Sequence, residues 1–122
     1  MTTVAATSTG LPPRTAAALA YGAWWITGLI FWLLERNDRF VRFHAAQSMT
    51  AFGILAVLIA GFAAVAGASL SFLPEAFLPL LGAALVTWVA ALVLWIVAMW
   101  KAANGNAWRI PLAADLADRF LR

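Results

Sequence analysis

His44, Gln47 and Ser48 are the residues of this chain best spaced for chemistry, because three- and four-residue steps put them on one face of a helix. A histidine four residues from a serine could serve as base and nucleophile. That chemistry also needs an acid to orient the imidazole and donors to hold an oxyanion. No Asp or Glu on that helix is spaced to serve His44, and no glycine-rich loop adjoins it. His44 could instead be an axial ligand to a haem or chlorin, although a lone histidine does not define such a site. With one histidine, no cysteine and no paired acids, the sequence offers neither a disulfide nor a multi-ligand metal site, and no cofactor is expected.

These residues close a basic and aromatic stretch, Arg39-Phe40-Val41-Arg42-Phe43-His44-Ala45-Ala46-Gln47-Ser48. Its simplest reading is an interfacial anchor. Arg39 and Arg42 then meet anionic lipid headgroups, Phe43 lies just below them, and His44, Gln47 and Ser48 hydrogen-bond to a neighbouring helix. Such residues recur at membrane interfaces in unrelated proteins, which favours this reading over catalysis.

The elements that must position this stretch follow from composition. Of 122 residues, 65% are hydrophobic and 11% charged, with a mean hydropathy of +0.90; a soluble domain is about 45–50% apolar and about 25% charged. The protein is therefore expected to be integral to a membrane, and its length allows one domain. Charge-free windows run over 15–34, 45–74 and 76–100. Each reaches the roughly 20 residues that cross a bilayer core about 30 Å thick, which predicts an all-α fold with transmembrane helices at about 15–34, 43–70 and 76–101. Leu, Ile, Val and Phe number seven in 15–34, nine in 45–70 and twelve in 76–100. At roughly −0.3 to −0.6 kcal/mol each, the first helix is the marginal one and should depend on its neighbours.

With three spans, Arg36, Arg39, Arg42, Lys101, Arg109, Arg119 and Arg122 share one side and Arg14 alone lies on the other. The positive-inside rule then puts a flexible N-terminal tail, 1–14, in the periplasm and the C-terminus in the cytoplasm of an inner membrane. The first fourteen residues lack a basic segment before an apolar run, so no cleaved signal is expected. In the cytoplasmic tail 102–122, Gly105 between two asparagines marks a helix stop and Pro111 suits the first position of a new helix. That helix, 111–122, carries Leu112, Leu116 and Phe120 on one side, opposite Asp115, Asp118, Arg119 and Arg122, and should lie along the interface.

Ala56, Ala60 and Ala64, continued by Ala68, repeat every fourth residue of the second span and predict a face for close helix packing. Between Ala51 and Ala68 that span has no Ser, Thr, Asn, Gln or charged residue. A pore would need such groups at mid-depth. Trp32 and Trp100 read as aromatic-belt anchors. Trp24 and Trp25 fall mid-window, where their indole N–H groups need an acceptor or a helix lying lower in the membrane. Nucleic acid is not an expected partner, since the basic residues are those the topology requires.

The order of Ala18-Leu19-Ala20-Tyr21, Glu35-Arg36-Asn37, the stretch Arg39 to Ser48, Lys101-Ala102 with Gly105, Arg109-Ile110-Pro111 and Asp115-Leu116-Ala117 resembles a family of small, uncharacterised bacterial membrane proteins. That family is distantly similar to the channel-forming component of the protein-import translocon of the chloroplast inner envelope. The resemblance runs from about Ala16 to the end and implies a helical membrane fold. For the plant relative it implies four spans and a role in passing polypeptides, against the three spans read here. The resulting expectation is a non-enzymatic accessory or packing subunit of a membrane assembly, in contact with lipid and with other subunits or copies of itself. A translocation or insertion factor and a pigment- or haem-contacting subunit are the alternatives.

Overall fold

The computed structural model describes residues 7–121, and its regular elements there are all helical. In order they are α1 (Pro13–Leu19), α2 (Trp24–Leu34), α3 (Arg39–Ser69), a 3-10 turn at Pro74–Ala76, α4 (Phe77–Ala103) and α5 (Ala113–Leu121). Residues 1–6 of the expected tail 1–14, and residue 122 of the expected helix 111–122, lie outside the described residues. Two compact units result: the described parts of Met1–Gly53 and Trp95–Arg122 form one, and Ile54–Leu94 forms the other.

With 31 and 27 residues, α3 and α4 are about 46 and 40 Å long at 1.5 Å per residue. Among the described residues these are the two helices long and apolar enough to cross a membrane, and only 17% and 11% of their most apolar windows are buried within the protein. A core helix of a soluble domain would be mostly covered by its neighbours. Apolar side chains left bare at Val57, Val65, Leu78 and Val86 call for lipid.

The third expected span is corrected. Residues 15–34 do not form one helix: α1 ends at Leu19, the chain turns through Ala20 to Ala23, and α2 has 11 residues, about 16 Å of helix against the roughly 30 Å needed. An interruption among apolar residues is tolerated only if its backbone groups find partners within the protein, and here they do. Tyr21 N–H donates to Ala18 O, Gly22 N–H to Leu19 O and Trp24 N–H to Tyr21 O. The Thr27 hydroxyl accepts Ala23 N–H at 2.9 Å and lies 3.0 Å from Ala20 O. Ser48 Oγ donates to Trp24 O at 2.8 Å, and Trp95 Nε1 donates to Tyr21 O at 2.6 Å. Trp24 itself sits at φ 56°, a left-handed conformation that is costly for a bulky residue. It is held by the Ser48 bond and by its ring against Phe52, centroids 5.4 Å apart. The structure thereby settles the surroundings of Trp24: it begins a helix rather than standing inside one.

Beyond the turn, α2 lies on α3 at backbone distance. A Cβ built on Gly28 would stand 2.7 Å from Met49 N and 2.9 Å from Ala45 O. Within the unit Ile54–Leu94, the buried residues are small: Ala66, Ser69, Ala84 and Ala91. The alanine repeat expected to pack is not among them. Ala56 is half-buried, and Ala60, Ala64 and Ala68 are exposed, so close packing within this unit belongs to other small residues.

Candidate functional site

The first turns of α3 carry a buried polar cluster. Tyr21, His44, Gln47 and Ser48 are each at most 1% exposed. Gln47 Oε1 accepts Ile110 N–H at 2.8 Å, while Gln47 Nε2 donates to Trp108 O and to the Tyr21 hydroxyl, both at 2.9 Å. The side-chain amide thus reads the non-helical segment 106–110 as a neighbouring strand would, with one donor and one acceptor. Donor logic orders the rest. Asn106 O can only accept, so His44 Nε2 carries the proton and donates to it at 3.0 Å; Nδ1 then accepts from the Tyr21 hydroxyl at 2.7 Å. His44 and Gln47 thereby clamp the chain that follows α4 against the start of α3, and the Tyr21 hydroxyl ties the two together.

The clamped segment enters through a glycine turn. Asn106 N–H donates to Lys101 O and Gly105 N–H to Ala102 O, the paired bonds of a Schellman stop, with Gly105 at φ +77°. A Cβ on Gly105 would also lie 2.7 Å from Arg14 Nε, so the Arg14 side chain would have to shift. Pro111 is exposed, and α5 begins two residues later, after Leu112 at φ 66°. The buried face of α5 is made by Ala113, Ala114 and Ala117.

A second anchor holds the segment before α1. The carboxylate of Glu35, wholly buried, accepts Ser8 N–H at 3.0 Å, the Ser8 hydroxyl at 3.1 Å, Asn37 N–H at 2.9 Å and Asp38 N–H at 3.0 Å. Burial pushes its pKa up, but the hydrogen bonds from Ser8, Asn37 and Asp38 together outweigh it and leave the pKa below the ordinary 4.5. Asp38 in turn caps α3, accepting Val41 N–H at 3.0 Å. Arg42 donates to Trp32 O and Glu35 O and covers the Trp32 ring at 5.6 Å. These bonds bring residue 8 beside the α2–α3 connection. A spanning first helix would have kept the two about 30 Å apart.

The sign of the Glu35 shift gives an expected result. A depressed carboxylate stabilises the folded state fully above its unfolded pKa of about 4.5, and that contribution is lost as pH falls through the lower folded value. Hydrogen exchange at Ser8, normalised to the intrinsic rate, should therefore be slow at neutral pH and accelerate below pH of about 4.5. In Glu35→Gln it should be fast throughout, with no such step. Acid-insensitive protection in the native chain would refute this.

Arg39 and Arg42 part company: Arg39 is exposed, while Arg42 is half-buried on backbone carbonyls. Phe43 is 9% exposed and lies under Arg109 at 5.5 Å. Arg109 reaches Asp118 at 2.6 Å and Asp115 at 3.2 Å. The hydrogen bond to Asp118 does most to raise the Arg109 pKa above its usual value; desolvation opposes it, and the charge of Asp118 together with Asp115 adds to the rise. The geometry does not pair Ser48 with His44, because the serine hydroxyl is given to Trp24 O. Both His44 nitrogens are engaged, so metal ligation would have to break one of these bonds. Among the described residues, no three His, Cys, Asp or Glu side chains are grouped to hold a metal ion.

Tyr21, Glu35 and Gly28 were not singled out by spacing, and Trp95 only as one of two tryptophans, with Trp88, seven residues apart on one helix face. Tyr21 is the single tyrosine, set in an apolar window, and Glu35 is the first acid after it; those oddities were the available signals. Gly28 carries none, and the spacing of Trp95 does not reveal its acceptor, because their partners lie 17 to 74 residues away.

Comparison with known proteins corrects the resemblance proposed from sequence. Residues 5–117 match the model of the magnetosome magnetite crystal formation protein family, MamF/MmsF. A UPF0132 membrane protein of Methanocaldococcus jannaschii is 36% identical over 118 residues, covering 93% of this chain and 73% of the relative. A second from the same archaeon is 38% identical over 114 residues, covering 93% of each chain. One from Archaeoglobus fulgidus is 34% identical over 107 residues, 85% of this chain and 90% of the relative. The similarity is thus to archaeal membrane proteins and to that family, and not to bacterial relatives of a chloroplast translocon component, which removes the ground for a translocation role. No solved structure matches the chain.

Proposed function

The chain belongs to the magnetosome magnetite crystal formation protein family, and we propose that it is a non-enzymatic accessory subunit that packs against other helices in the plasma membrane. The observation that carries this reading is the outward face of α3. Ala60, Ala64 and Ala68 stand exposed at four-residue spacing, where small side chains let another helix approach at backbone distance. Beside them Val57, Leu58, Gly61, Phe62, Val65 and Leu80 line an apolar hollow of about 400 Å³. A mineral-templating surface finds less support in this chain's acids. Of its five acids, Glu35 is buried on backbone donors, Asp38 caps α3, Asp115 and Asp118 are bound by Arg109, and Glu75 is a single exposed carboxylate far along the sequence from the rest.

The proposal includes a revised topology. Only α3 and α4 cross; α1 and α2 enter and leave from the side on which both chain ends lie. All eight Lys and Arg residues then fall on one side and only Glu75 on the other, a stronger positive-inside bias than three spans give, so that side is the cytoplasm. Since the chain has no cysteine, single cysteines test both parts in native membranes. Cysteines at Ser8 and Asn104 should be labelled by an impermeant thiol reagent only when the cytoplasmic side is open, and one at Ser71 only from outside. Cysteines at Ala60 or Ala64 should each give one discrete crosslinked species larger than the monomer. Labelling of Ser8 and Asn104 from opposite sides would overturn the topology, and monomer alone at Ala60 and Ala64 the packing role.

A further inference from the structure

Between the start of α3 and α5 lies a cleft of about 550 Å³, lined by Arg39, Phe40, Phe43, Ala107, Asp118 and Leu121. That volume is in the range of small-molecule sites, about 300–1,000 Å³. Its floor is apolar and held in place: Phe40 meets the His44 ring at 4.6 Å, and Phe43 is buried beneath the Arg109 guanidinium. Its charge is positive in balance. Asp118 is bound to Arg109 at 2.6 Å, whereas no carboxylate among the described residues pairs with Arg39, which is exposed at the rim. The depth of the cleft can be read from the neighbouring chain. Leu33 and Leu34, 57% and 56% exposed, end α2 as apolar side chains that the protein leaves bare, and the polar connection from Glu35 to Asp38 follows at once. Arg39 therefore stands where hydrocarbon gives way to headgroups, above a pair of phenylalanines.

We infer that this cleft binds one anionic phospholipid, with the phosphate on the Arg39 guanidinium and the upper acyl carbons along Phe40, Phe43 and Leu121. A free guanidinium over an apolar floor suits an amphiphile with a phosphate head. It suits inorganic phosphate poorly, because Arg39 is the single cation among the lining residues, the other charged one is the carboxylate of Asp118, and the rest offer apolar surface. The inference rests on the membrane placement of this end of the chain, but not on the number of spans or on the packing role.

The test uses the purified full chain in neutral detergent, with bound lipid counted by native mass spectrometry. Phosphatidylglycerol should be retained about tenfold more strongly than phosphatidylcholine of the same acyl chains, and inorganic phosphate should not displace it. Arg39→Gln should lose that preference, whereas Arg39→Lys should keep part of it. Arg36→Gln removes an equally exposed cation outside the cleft and should change retention less than about twofold. Circular dichroism of each variant reports whether the helices persist. Equal loss in Arg36→Gln and Arg39→Gln would overturn the site in favour of diffuse surface charge. Equal retention of phosphatidylcholine, or displacement by inorganic phosphate, would overturn the ligand. A failure of the topology would show in cysteine labelling and leave this assay unchanged.

Discussion

Replacing Gln47 with leucine should release the segment after α4 while leaving the long helices intact. The leucine cannot bond Ile110 N–H or Trp108 O, both now satisfied by the Gln47 amide. A buried backbone group left without a partner costs about 1–3 kcal/mol, and about 3 kcal/mol is a factor of more than 100 in a local opening equilibrium. Hydrogen exchange at Ile110 should accelerate by roughly two orders of magnitude, with helix content unchanged by circular dichroism. Gln47→Glu is the sharper variant. It keeps an acceptor for Ile110 N–H but turns a second oxygen on Trp108 O and on the Tyr21 hydroxyl, whose proton His44 Nδ1 already takes. It should open the segment at least as far as leucine does. Unchanged protection in both variants would mean that α5 and its alanine face hold the tail without the polar clamp.

Gly28→Ala should destabilise the chain, and the same substitution at Gly61 should not. An alanine Cβ at position 28 would lie 2.7 Å from Met49 N, 2.9 Å from Ala45 O and 3.0 Å from Ser48 Cβ. Two of these atoms are helix backbone and can yield only if α2 moves away from α3. Overpacking of that kind costs about 1–3 kcal/mol, more than the helix propensity of about 1 kcal/mol that alanine gains over glycine. At Gly61 nothing lies within 4 Å of the added carbon, so only the propensity gain remains there. Thermal unfolding in detergent should fall for the first variant and hold or rise for the second. Because Ser48 also bonds Trp24 O, the Gly28 variant should loosen the turn between α1 and α2 as well. Equal shifts at both glycines would show that α2 does not rest on α3 at backbone distance.

Composition and hydropathy patterning decided that the chain is a helical membrane protein, because its apolar content leaves no water-soluble alternative, an open strand cannot satisfy its backbone in lipid, and its long apolar runs lack the short alternating segments of a barrel. The two long helices were also legible, since α4 and the part of α3 after Thr50 are long apolar runs whose ends are marked by polar and charged residues, by Pro74 and by Gly105. Hydropathy could not show that 15–34 turns back on itself. It sums transfer energies along the chain, and the turn is stabilised by Ser48 and Trp95, which are remote in sequence. The spacing of His44, Gln47 and Ser48 located a polar face but left its partners open. Whether those groups do chemistry or bind backbone depends on what stands opposite, and only the folded chain brings Tyr21, Asn106, Trp108 and Ile110 there. The alanine repeat of α3 shows the same limit. Four-residue spacing makes a smooth helix face, but which face turns toward the rest of the chain is set by competition among several such faces, and tertiary packing buried Ala66, Ser69, Ala84 and Ala91 instead.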